Sequence, residues 1–101
     1  MENMEKERFA AILVNGMTSV YSFGEAASVG AVLAPAVMND FKEKIKTAKI
    51  GDTVSEEYKT EDEKVLLLVE GKAVPEAGGA KYVISKVMIN GMLVSEEELR
   101  L

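Results

Sequence analysis

Apolar residues come in blocks along this chain, and the spacing within each block predicts an element. The first block is Phe9-Ala10-Ala11-Ile12-Leu13-Val14, followed by Asn15-Gly16 and then Met17-Thr18-Ser19-Val20-Tyr21-Ser22-Phe23. Asn-Gly between apolar runs is a strong hairpin signal, because a type I′ turn needs positive φ at both central residues. A β-hairpin is therefore expected over 9–23, with Val14 facing Met17, Ile12 facing Ser19 and Ala10 facing Tyr21. Neither face of it carries a charge, so protein is expected to cover both. Residues 1–8 read as a flexible lead-in.

From Gly24 to Lys49 the period changes to that of a helix. Val29, Val32, Leu33, Val37, Phe41 and Ile45 form one stripe, with Lys42, Glu43, Lys44 and Lys46 off it. Pro35 lacks a backbone donor and crowds the preceding turn. It is expected to divide the segment into a short piece near 25–34 and a longer helix over 35–48. Gly51 is placed to act as a left-handed stop.

The second half reads as strands. Thr53 to Tyr58 precede a charged tip, Lys59 to Glu63. Lys64 to Glu70 is a strand whose unbroken apolar run suits a central position. Gly71 to Ala80 reads as a loop, because Pro75 and Gly78-Gly79 interrupt any regular element. Lys81 to Ile89 is the next strand, Asn90-Gly91 a turn, and Met92-Leu93-Val94 a short return. Ser95-Glu96-Glu97-Glu98 has the Ser-x-x-Glu form of a capping box, so the tail is expected to close as a helical turn. The expected fold class is α+β, one domain over residues 1–101: an N-terminal hairpin, a Pro-kinked helix, then three to four antiparallel strands. In element order alone this ββαβββ plan resembles PAS, profilin and longin-type domains, which transfers no function.

Composition narrows the function classes. The chain has 101 residues with no His, Cys or Trp, and 12 basic against 17 acidic side chains give a net charge of −5. A Ser-His-Asp triad, a Cys nucleophile and a thiolate or imidazole zinc site are all excluded. No catalytic constellation is found, and a non-enzyme with no cofactor and no metal is expected. An acidic chain is not expected to bind nucleic acid directly, since that affinity comes from clustered Lys and Arg. The longest uncharged stretches, Phe9 to Gly24 and Ala26 to Asn39, are 16 and 14 residues, short of the roughly 20 that span a bilayer. No membrane association and a cytoplasmic location are expected.

Three features carry the functional expectations. Ala26, Gly30 and Ala34 recur every four residues, with Val37 beside them, a spacing that lets another backbone approach closely. This face either seats the helix on its own sheet or forms a subunit interface, and a homo-oligomer is the first expectation. The charge is uneven: residues 51–101 hold six basic and eleven acidic side chains, clustered at Glu56, Glu57, Glu61, Asp62 and Glu63 and again at Glu96, Glu97 and Glu98. Such runs usually solvate a surface, and they could also mimic nucleic acid toward a basic protein. Finally, Gly78-Gly79 flanked by Lys72 and Lys81 could gather backbone N–H groups and positive charge around a small anionic, nucleotide-like ligand. The leading expectation is a non-catalytic binding protein, an accessory or phage-type regulator acting by occupancy. The alternatives are an anionic-ligand binding or sequestering protein and an acidic nucleic-acid mimic.

Overall fold

The computed structural model describes residues 3–95 and 99–100. The chain is α+β, as expected, but both helices come before the strands. Helix α1 spans Asn3–Met17 and α2 Phe23–Ile45; strands follow at β1 Thr53–Lys59, β2 Leu66–Glu76, β3 Gly79–Ile89, β4 Met92–Ser95 and β5 Leu99–Arg100. The sheet is antiparallel in the order β1-β2-β3-β4, with β5 also paired to β3. The two helices cover one face of it. The ββαβββ order, and with it the likeness to PAS, profilin and longin-type domains, does not hold.

The expected first hairpin is helix α1, which already includes residues 3–8. Phe9, Leu13 and Met17 lie four apart, so a helix places them on one face, and each is at most 1% exposed. Asn15-Gly16 sits in the last turn of this helix and makes no hairpin. Gly16 serves close approach instead: a Cβ there would lie 2.6 Å from Ile89 Cδ1 and 3.2 Å from Val94 Cγ1. The helix stops where the N–H groups of Val20 and Tyr21 both donate to the Met17 carbonyl.

Helix α2 starts with a capping box at Ser22-Phe23-Gly24-Glu25. The Ser22 hydroxyl accepts from the Glu25 N–H at 3.3 Å, and the Glu25 carboxylate accepts from the Ser22 N–H at 3.4 Å. These contacts satisfy donors that a bare helix start leaves open. The helix then runs unbroken through Pro35 to Ile45, so the expected division at residue 35 is absent and the end comes before residue 48. Pro35 is exposed while Ala34 and Val37 beside it are buried, so packing against the rest of the chain holds the helix through its missing hydrogen bond. Gly51, with φ +96°, lies in the connection to β1 beyond the helix, and there its N–H donates to the Ala73 carbonyl.

Most of the expected 71–80 loop is strand. β2 continues to Glu76, and a two-residue turn, Ala77-Gly78, leads straight into β3. Pro75 is tolerated because β1 pairing ends at Lys72. Ala73 sends its N–H toward Asp52, so Pro75, two residues on, turns its donorless nitrogen to the same, now open, side. Gly78 at φ +81° supplies the left-handed turn residue. Asn90-Gly91 does make the expected hairpin, with φ of +51° and +80° as a type I′ turn needs. The Asn90 side chain also clamps the start of β2, accepting from the Leu66 N–H at 2.8 Å and donating to the Lys64 carbonyl at 3.0 Å. Residues 96–98 of the expected C-terminal capping box lie outside the described residues, and Leu99–Arg100 beyond them pair as strand.

The core lies between the helices and the inner sheet face. Phe9, Leu13 and Met17 of α1 and Val37 and Phe41 of α2 meet Leu67, Val69, Ala73, Ile84, Val87 and Ile89 there. A β-bulge at Glu70/Gly71 accommodates Ser85 opposite, and Phe41 packs into the space left by Gly71.

Candidate functional site

The small-residue face of α2 is an internal seat. Ala26, Gly30, Ala34 and Val37 are all buried within the chain, and a Cβ on Gly30 would lie 2.7 Å from Val14 Cγ2 of α1. Helix α1, rather than the sheet, takes the close approach that this spacing allows.

The expected anion loop is a tight hairpin end. Gly78 occupies the turn and Gly79 begins β3; both are exposed. Lys72 pairs with Val83 and Lys81 with Val74, so the two lysines belong to different rungs of the ladder. Of the four, Lys81 lines a cleft.

That cleft, of about 230 Å³, lies between α2, the α1 residue Lys6 and the start of β3. Pro35, Met38, Phe41 and Ile45 supply its apolar wall, and Lys6, Lys42 and Lys81 its charge. Tyr82 is 3% exposed and packs tilted on Phe41 with ring centroids 5.2 Å apart. Neither Lys6 nor Lys42 was singled out by sequence. The available signal was a second α2 stripe, Met38, Lys42 and Ile45, running beside the Val37 and Phe41 core stripe at the same helical spacing.

A second, more open cleft of about 480 Å³ runs between Tyr21, Val29, Val32 and Leu33 on one side and residues 59–62 on the other. Of its two carboxylates, Glu61 and Asp62, the latter is already engaged. Asp62 accepts from the Tyr21 hydroxyl at 2.7 Å, the Thr60 hydroxyl at 2.7 Å and the Lys64 N–H at 3.1 Å. The Thr60 bond, then Tyr21 and the Lys64 N–H, hold the Asp62 carboxyl at about 2. Other members of the acidic cluster are paired as well: Glu56 with Lys44, and Glu63 with Lys59 at 3.2 Å. The Asp62 contacts tie the β1–β2 loop to the α1–α2 connection, a structural role that clustering alone did not reveal.

The tyrosines titrate away from base chemistry. Burial and the 2.8 Å hydrogen bond to Asp40 push the Tyr58 hydroxyl far up, and burial raises Tyr82. Among the described residues no group of three or more acidic side chains is placed to hold a metal ion, and no described helix is long and apolar enough to cross a membrane.

The outer face of the sheet has no helix on it. One row across the strands reads Glu57, Leu68, Met88, Leu93, each directly opposite the next. Leu66, two residues before Leu68, is 44% exposed and Leu93 is 48% exposed. The following rung sets Glu70 opposite Lys86. No family model, no curated protein and no solved structure matches this chain.

Proposed function

We propose that this chain is a non-catalytic, cytoplasmic interaction protein that works as a homo-oligomer, with the outer sheet face as the contact between copies. The observation that carries the reading is the apolar row Leu68, Met88, Leu93 with Leu66 at its side, uncovered on an otherwise two-layered chain. An antiparallel sheet that faces water usually alternates polar side chains onto its open face. A cross-strand row of Leu, Met and Leu departs from that pattern.

A second copy is the occupant that the surrounding charges favour. Glu70 and Lys86 sit side by side on the rung next to the apolar row. A two-fold-related copy would bring Lys86 of one chain toward Glu70 of the other, the self-complementarity that an isologous interface requires. The absence of catalysis is supported by tyrosine hydroxyls displaced upward, the wrong direction for a base near neutral pH.

Size-exclusion chromatography with light scattering tests the proposal. A dimer or larger assembly is expected, and Leu66→Glu with Leu93→Glu should shift it toward monomer while far-UV circular dichroism stays unchanged. A monomeric wild-type chain at the highest soluble concentration would refute it.

A further inference from the structure

We propose that the cleft between α2 and the start of β3 binds a small amphipathic carboxylate, its apolar body against Met38, Phe41 and Ile45 and its head among Lys6, Lys42 and Lys81. The sign of the site is the first argument. The whole chain is acidic at −5, yet the residues lining this cleft include three lysines and no carboxylate. Chance placement on an acidic protein would mix the signs, as the second cleft does with Lys59, Glu61 and Asp62.

The lysines are also uncommitted. Lys44, Lys46 and Lys59 each pair with a glutamate, whereas Lys6, Lys42 and Lys81 form no ion pair among the described residues. Like charges gathered around a concave apolar surface repel one another, and an anion seated between them removes that cost. The Tyr82 ring lines the same cleft and is nearly buried, and its side chain makes no hydrogen bond among the described residues.

The apolar wall restricts the ligand further. Pro35, Met38, Phe41 and Ile45 make up most of the uncharged lining, with Asn39 and Tyr82 its neutral polar side chains, so the wall suits a hydrocarbon or aromatic body. At about 230 Å³ the cleft lies below the roughly 300–1,000 Å³ of drug-sized sites, so the ligand is short. The cleft lies on the helix-covered side of the sheet, and this inference does not depend on self-association through the other face.

Octanoate is the probe, titrated into the uniformly labelled full chain and read by amide chemical shifts. Saturable shifts are expected at residues 38–42 and 80–82, and neutral octanol should bind about tenfold or more weakly because it lacks the charge-assisted contacts. Lys42→Gln and Lys81→Gln should each weaken octanoate roughly two- to fivefold, the scale of a partly screened charge contact. Equal affinity for octanoate and octanol, shifts confined to other residues, or lysine variants that bind like wild type would each overturn the proposal. So would binding to phosphatidylglycerol vesicles with no response to octanoate, which would assign the lysines to a lipid surface.

Discussion

Replacing Gly71 by Ala should destabilise the fold, although alanine is usually the better residue inside a strand. A Cβ at this position would lie 2.5 Å from Phe41 Cε2, 3.3 Å from Phe41 Cδ2 and 3.4 Å from the Val83 carbonyl oxygen. Carbon atoms pack best at about 3.5–4.0 Å, so the ring would have to retreat by about 1 Å. It has little room: Phe41 is 1% exposed and packed against Tyr82. Inserting a methyl group into a filled core costs about 1–3 kcal/mol, while relieving glycine's backbone entropy returns about 0.5–1 kcal/mol. The net loss then lies between about 0 and 2.5 kcal/mol, centred at ~1.2 kcal/mol. At about 4–8 °C per kcal/mol for a domain of this size, the central value lowers the melting temperature by roughly 5–10 °C. Reversible thermal and urea unfolding followed by circular dichroism measures it. Phe41→Leu would remove part of the ring, so the double variant should lose less stability than the two single variants added together. A Gly71→Ala protein as stable as wild type, or strictly additive losses in the double variant, would refute the reasoning.

Two further outcomes follow from the same structure. Pro35→Ala should raise the urea midpoint, by about 1–3 kcal/mol in stability, because alanine restores an N–H donor inside a continuous helix; an unchanged or lower midpoint would show that the proline ring itself is needed. Asp62 has its carboxyl lowered from 3.8 to about 2, so its contribution to stability is present above 3.8 and is lost as the pH falls through about 2. Asp62→Asn should therefore flatten the loss of stability between those two pH values, and parallel wild-type and variant curves would contradict the assignment.

The two Asn-Gly pairs show why part of this fold could be read from sequence and part could not. At residues 90–91 the flanking runs are Val87-Met88-Ile89 and Met92-Leu93-Val94, rich in residues suited to strands, and the type I′ hairpin formed. At residues 15–16 the preceding run contains Ala10, Ala11 and Leu13, all good helix formers, and Phe9, Leu13 and Met17 recur at a helical interval. The turn signal of the dipeptide competes with that interval, and burial of the stripe decides the structure. The Ser-x-x-Glu motif repeats the lesson: it stands in the sequence at 95–98 and at 22–25, and Ser22 and Glu25 carry it with both hydrogen bonds formed. In the site, Lys81 was recognisable beside the glycines. Its companions Lys6 and Lys42 come from two helices, and only the packing of α1 against α2 brings them to the same cleft.

Because both helices precede every strand, the order of synthesis differs from the order in which the core closes. Once α1 and α2 have emerged they can pair through Gly30 and Val14, but Phe9, Leu13, Met17 and Phe41 have no sheet to cover them until the strands follow. The strands that cover them arrive mostly as consecutive neighbours: β2, β3 and β4 each pair with the one just made, and β5 returns to β3. Such sequential contacts favour rapid folding, and they confine the exposed, aggregation-prone interval to the time needed to make β2 and β3.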